Sequence, residues 1–203
     1  YEYCKPSTMY GCNKLYCEHL GRYYAHSYRQ LAQDSVQGDD KNRGVVDFRC
    51  VRYPGLISAE TIPTGGTSDF VPEMLHAAAR GEAYKCFVRE DSRIPFMTMP
   101  EAINATLQLA AAPRNELTQI VYNIASFSPS AGEVAEVVKQ YFPEAIITFE
   151  PDQRRQAIVD SWPEELDCSA AKDDWGFTPT YTLEQAFEEY LVPRITKQYE
   201  STP

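Results

Sequence analysis

Hydrophobic and polar positions along this chain fall into alternating helix-like and strand-like blocks. Over residues 8–33, apolar and aromatic side chains recur at helical spacing (Leu15, Leu20, Tyr23, Tyr24, Tyr28), and no proline interrupts them. "DSVQGDDKNRG", 34–44, is polar and reads as a surface loop. "VVDFRCVRY", 45–53, reads as a buried strand stopped by Pro54-Gly55. A Gly/Pro/Thr-rich stretch then leads into a helix that runs to about Arg80, with Asp69 expected as N-cap, Pro72 in the first turn and Gly81 as the stop. Short strands are expected at 84–88 and 94–98. Pro100 opens "PEAINATLQLAAA", a segment of high helix propensity. "TQIVYNIA", 118–125, and "AIITFE", 145–150, read as strands. Between them, Ser130 and Glu133 form a capping box that opens a helix at 131–142, and Thr182 with Gln185 forms a second one at the head of a final amphipathic helix. The alternation predicts an α/β fold with a largely parallel sheet.

Composition narrows the function classes. The 203 residues are 43% hydrophobic and 24% charged, enough to build a core. A net charge of −10 argues against a phosphate-tracking nucleic-acid binder, which needs clustered Lys and Arg. No apolar run reaches the roughly 18 residues of a membrane span. The chain opens on Tyr-Glu-Tyr-Cys-Lys, with neither an initiator methionine nor a signal peptide, so the native N-terminus is expected upstream. Six cysteines are dispersed without a CxxC pair and are expected to be free thiols in a reducing compartment. Cys12, Cys17 and His19 do not share a helix face in the manner of zinc ligands, so no metal site is expected.

The candidate chemistry lies near the start, in "PSTMYGCNKLY". Tyr10 and Lys14 are four apart, which on a helix stacks both side chains on one face. A lysine ammonium beside a phenol favours the phenolate, and a phenolate is a general base. The same spacing also describes a packed tyrosine beside a solvated lysine, so context must decide. That context lacks one feature of a dinucleotide-binding sheet, the glycine fingerprint at the first strand-to-helix turn. "PTGGTSDF" holds the chain's Gly-Gly pair, and it follows a later strand.

"PSTMYGCNK" resembles the YxxxK segment of the extended short-chain dehydrogenase/reductases. "RYPGLIS" is similar to the strand end that borders the nicotinamide in that group, and "WGFTPTYTLEQAFEEYL" to its C-terminal helix entry. Three segments, "PTGGTSDF", "RIPFMTMPEAINATL" and "PDQRRQAIVDSWPEELDCSAAKDDWGF", resemble the short-chain-type L-threonine 3-dehydrogenases within it. The resemblance spans nearly the whole chain but lacks the family's front portion, on the order of 100 residues that hold the adenosine and pyrophosphate site and the serine or threonine assisting the tyrosine. The loop at 30–44 looks like an insertion.

The resemblance implies the rear portion of a Rossmann-like doubly wound parallel sheet (1–57 and 96–127) plus a small α/β substrate-binding domain (58–95 and 128–203). It implies NAD as cofactor and L-threonine as substrate, oxidised at C3 to 2-amino-3-oxobutanoate. Tyr10 would be the general base and Lys14 its ribose-binding partner. Tyr53, Pro54 and Gly55 would line the nicotinamide; Gly66, Thr67 and Trp162 would hold and cover the amino acid. Arg93, Arg155 and Asp160 are charged candidates for its carboxylate and ammonium. A homodimer is implied, through the outer faces of 8–33 and 100–112. The compartment would be mitochondrial in a eukaryote and cytoplasmic in a bacterium. Two other readings stay open: a sugar-nucleotide 4-epimerase or dehydratase, using Arg154 and Arg155 for a diphosphate, and a catalytically inactive dinucleotide-sensing or scaffold relative.

Overall fold

The computed structural model describes residues 4–28 and 46–200. The first helix, α1 (Met9–Arg22), passes into a wider π-helical turn at Tyr23–Ser27; the remainder of the expected 8–33 helix and the 34–44 loop lie outside the described residues. There follow β1 (Cys50–Arg52), β2 (Gly55–Ile57), α2 (Phe70–Ala79), β3 (Tyr84–Cys86), β4 (Phe96–Thr98), α3 (Met99–Ala111), β5 (Val121–Asn123), α4 (Ala131–Tyr141) and β6 (Ile147–Phe149). Two short helices come next, α5 (Gln153–Val159) and α6 (Ser169–Trp175). The C-terminal helix is built from α7 (Leu183–Gln185), a π-helical stretch at Ala186–Leu191, and α8 (Val192–Glu200). Among the described residues no helix is long and apolar enough to cross a membrane.

The strands pair in parallel, β1 with β5, β2 with β4 and β3 with β6, so every pair is joined by a helix-containing crossover. This is the α/β architecture that the alternating pattern implies. Pro54-Gly55 was expected to end a strand, yet Gly55 begins the next one. Proline has no N–H to give a ladder, and across it the chain changes partner from β5 to β4. Gly55 is required there, because a Cβ would sit 2.6 Å from the Phe96 ring.

β4 divides the core. Phe96 joins one cluster with Phe70, Met74, Val138, Phe187 and Leu191; its neighbour Met97 joins another with Ala105, Leu109, Tyr122, Ala171 and Phe177. Successive strand side chains point to opposite faces, so one strand feeds both clusters.

Both expected capping boxes are present, Ser130–Glu133 and Thr182–Gln185, and Gly81 follows α2 at φ +69°. Asp69 does not cap α2 with its side chain. Its carboxylate instead accepts from the N–H groups of Thr64 and Gly66, upstream in the glycine loop. α5 and α6 were not foreseen. Each is seven residues long, too short for a clear apolar period. Their signals are local: Asp152 accepts from the N–H groups of Arg154 and Arg155, and Gly176 closes α6 in the left-handed region.

Candidate active site

Tyr10 sits in the first turn of α1. Thr8 sets that turn by accepting from Gly11 N–H at 3.1 Å. Lys14 follows one turn later on the same face, with its ammonium 5.2 Å from the centroid of the Tyr10 ring. Tyr10 is 72% exposed, so the pair faces open space rather than core.

Two contacts fix α1 against the sheet. Gly21 is buried against Phe48, and a Cβ there would overlap the phenylalanine ring. Arg52, the last residue of β1, donates to both carboxylate oxygens of Glu18 at 2.6 and 2.7 Å. Glu18 lies one turn beyond Lys14, and Arg52 immediately precedes Tyr53. This bidentate pair therefore sets where the Tyr10–Lys14 face stands relative to the strand end at Tyr53–Gly55.

That strand end opens into a pocket of about 250 Å³, lined by Tyr53, Pro54, Gly55 and Ser68 and, from the C-terminal half, by Trp162 and Pro163. Tyr53 turns its hydroxyl to Thr106 Oγ1 on α3. Trp162, 38% exposed, stands at the pocket edge. The structure thus gathers Tyr53, Pro54, Gly55 and Trp162 around one cavity. Gly66 and Thr67 are not in its lining; their neighbour Ser68 is. Tyr10 and Lys14 also stand outside the lining.

The sequence reading missed Ser68, Ile94, Pro95 and Leu166, which complete the wall. Pro95 had a legible signal. It precedes β4 as Pro54 precedes β2, and Gly55 N–H donates to Pro95 O at 3.0 Å in the parallel register.

The three charged candidates are each engaged within the protein. Arg93 donates to Ser128 O and pairs with Glu133 at 2.9 Å. Asp160 accepts both arms of Arg89, at 2.9 and 3.0 Å, and the Gln156 amide at 2.7 Å. The Arg89 guanidinium, with help from Gln156, holds the Asp160 carboxyl below its ordinary range. Arg155 donates to the carbonyls of Gly65 and Gly66. The cysteines, expected as free thiols, are free among the described residues, and Cys86 is pushed up to about 11 by burial. Among the described residues no three His, Cys, Asp or Glu side chains gather as a metal site.

An exposed phenol–ammonium pair, on a helix tied by Glu18–Arg52 to the strand that leads into a small, largely uncharged pocket, is a group able to abstract a proton. Over 179 residues the chain is 36% identical to the mitochondrial L-threonine 3-dehydrogenase of Bos taurus, covering 88% of this chain and 44% of that protein. It is likewise 36% identical over 180 residues to an uncharacterized epimerase/dehydratase of Staphylococcus saprophyticus, covering 88% and 51%. Its fold superposes on the GalE-like L-threonine dehydrogenase from Cupriavidus necator (apo form) with a TM-score of 0.80 at 37% identity, over 96% of this chain and 63% of that one. The chain spans about half the length of the curated relatives it matches. Residues 1–125, which hold the Tyr10–Lys14 pair and the strand end opening into the pocket, match the model of one family, and the chain belongs to it: the NAD dependent epimerase/dehydratase family.

Proposed function

We propose that this chain is the rear portion of an NAD-dependent L-threonine 3-dehydrogenase, oxidising L-threonine at C3 to 2-amino-3-oxobutanoate. The observation that carries this reading is the pocket at Tyr53–Gly55. There Tyr53, Pro54 and Gly55 meet Trp162 from the C-terminal half around one small cavity of about 250 Å³, with room for an amino-acid side chain. The names of the bovine and Cupriavidus relatives point the same way. The epimerase reading called on Arg154 and Arg155 for a diphosphate, and of these the Arg155 guanidinium is occupied by loop carbonyls.

The residues present fit the nicotinamide end of NAD. Lys14 offers a cation on the exposed face of α1, beside the Tyr10 ring, and the backbone at Pro54-Gly55 leaves an open wall with no bulky side chain at Gly55. The pyrophosphate-binding glycine motif is not in this sequence. NAD, when bound, supplies the hydride acceptor. Tyr10 takes the proton of the C3 hydroxyl, and Lys14 would hold the ribose. Gly66 and Thr67 belong to the loop that brings Ser68 into the pocket wall, and Trp162 covers the amino acid and excludes water.

The two core clusters support a division between a nucleotide-binding part, 1–57 with 96–127, and a substrate-binding part, 58–95 with 128–203. Ala171 and Phe177, from the latter, pack against the former. The exposed Tyr16, Leu20 and Leu107 support a homodimer. For a eukaryotic chain the compartment would be that named for the bovine relative, the mitochondrion; for a bacterial one, the cytoplasm.

The test is Tyr10→Phe in the complete protein, followed by threonine-dependent formation of NADH. Turnover is expected to fall at least about 100-fold, with the circular dichroism spectrum unchanged. Retention of most of the turnover would remove Tyr10 as the base.

A further inference from the structure

Arg155 is a charged side chain next to the pocket that does not enter it. Its Nη2 donates to Gly66 O at 2.6 Å and to Gly65 O at 3.2 Å. Its guanidinium carbon lies over the buried Phe87 ring, 3.0 Å from the centroid. From the opposite side, Asp69 Oδ2 accepts from Gly66 N–H at 2.7 Å and from Thr64 N–H at 3.3 Å. The loop's carbonyls thus face a cation and its N–H groups an anion. Residues 64–66 are exposed, and nothing lies within 4 Å of where a Gly65 Cβ would be, so packing does not hold them. Arg155 belongs to α5, and the last turn of α5 receives the backbone of the pocket's other wall: Trp162 N–H donates to Val159 O at 3.0 Å.

We infer that Arg155 is a positioning residue that clamps the glycine loop to α5 and thereby sets the separation of the Ser68 and Trp162 walls of the pocket. It acts on substrate binding through the loop, by its bonds to the loop carbonyls and its contact with Phe87 rather than by charge on the substrate. The inference builds on the reading of this pocket as the substrate site. Lysine keeps the charge but loses the planar group that lies over Phe87. Arg155→Lys should therefore behave like Arg155→Ala.

Two measurements on the complete protein test it. The first is steady-state kinetics. Both variants should raise KM for threonine about tenfold, the effect of one net charge-assisted hydrogen bond, with KM for NAD unchanged. If Arg155→Lys keeps wild-type KM while Arg155→Ala loses it, the charge acts directly on the substrate and the clamp is wrong. The second is amide hydrogen exchange over residues 64–68 without any substrate. Both variants should exchange about tenfold faster there than wild type; unchanged exchange overturns the clamp whatever the substrate is. Faster exchange in both variants of a protein that does not oxidise threonine would uphold the clamp and reject the substrate reading instead.

Discussion

Glu101 is 4% exposed and has five uncharged donors around its carboxylate. Thr98 N–H and Oγ1 approach Oε2 at 3.1 and 2.8 Å. Ser126 Oγ and the N–H groups of Thr180 and Tyr181 approach Oε1 at 3.0, 2.8 and 3.1 Å. One side chain therefore caps α3, holds the turn after β5 and anchors the segment that enters the C-terminal helix. A buried carboxylate is tolerated only when its lone pairs are filled in this way. In Glu101→Ala the two hydroxyls can turn to other partners, but three N–H groups lose theirs. Each orphaned donor costs about 1–3 kcal/mol when fully buried. Thr180 and Tyr181 are only partly shielded, so their share is discounted, and the sum is about 3–5 kcal/mol. Glu101→Gln keeps one acceptor oxygen but turns an NH2 towards donors, for a loss of about 2 kcal/mol. Urea denaturation of the complete protein, read as the shift in midpoint at constant m, measures both. A loss below about 1 kcal/mol in Glu101→Ala, or a glutamine variant worse than alanine, would refute the view that unmet donors set the energy.

Gly21→Ala should destabilise by about 1–3 kcal/mol through overlap with Phe48, and Phe48→Leu in the same molecule should recover part of it; denaturation midpoints decide. His76 is fully buried, with Nδ1 2.8 Å from Tyr199 Oη, and burial, reinforced by the Arg80 charge, depresses its imidazole below the ordinary histidine value. The unfolded chain then binds the proton first, so stability should fall as pH drops below about 6.5. His76→Gln should flatten that slope in denaturation series at about pH 7.5 and 5.5. Light scattering of the complete protein at micromolar concentration should give a dimer. Replacing both Tyr16 and Leu107 by Glu should yield monomers if the exposed faces of α1 and α3 form the interface.

Much of the fold was legible because its signals are local. A Ser or Thr three residues before Glu or Gln states a helix start within four positions, and Ser130–Glu133 and Thr182–Gln185 did so. The Thr98–Glu101 box has the same form in "TMPE", where Pro100 in the first turn marks the same helix start. Asp69 was misjudged because an aspartate before a helix has two sets of N–H groups to choose from. The glycine loop upstream, free to turn at Gly65 with φ +92°, presents its own first. At the site, Tyr53, Pro54, Gly55 and Trp162 were named in advance, whereas Ser68 and Leu166 come from segments with no motif of their own.

The sequence by itself determined the alternation of helices and strands, two of the three capping boxes among the described residues, the stop at Gly81 and the placing of Tyr10 and Lys14 on one helix face. All of these depend on residues within about one helical turn of each other. Only the tertiary structure decided that Pro54 splits one expected strand into two with different partners, and that Arg93, Arg155 and Asp160 serve the protein's own contacts. It alone placed Trp162 opposite Ser68. Those outcomes depend on which distant donors and acceptors arrive at the same place. Arg155 meets Gly66 across 89 positions of sequence, and Glu101 meets Tyr181 across 80. Side chains that can bond several partners take the one the packing delivers, and no local pattern records that choice.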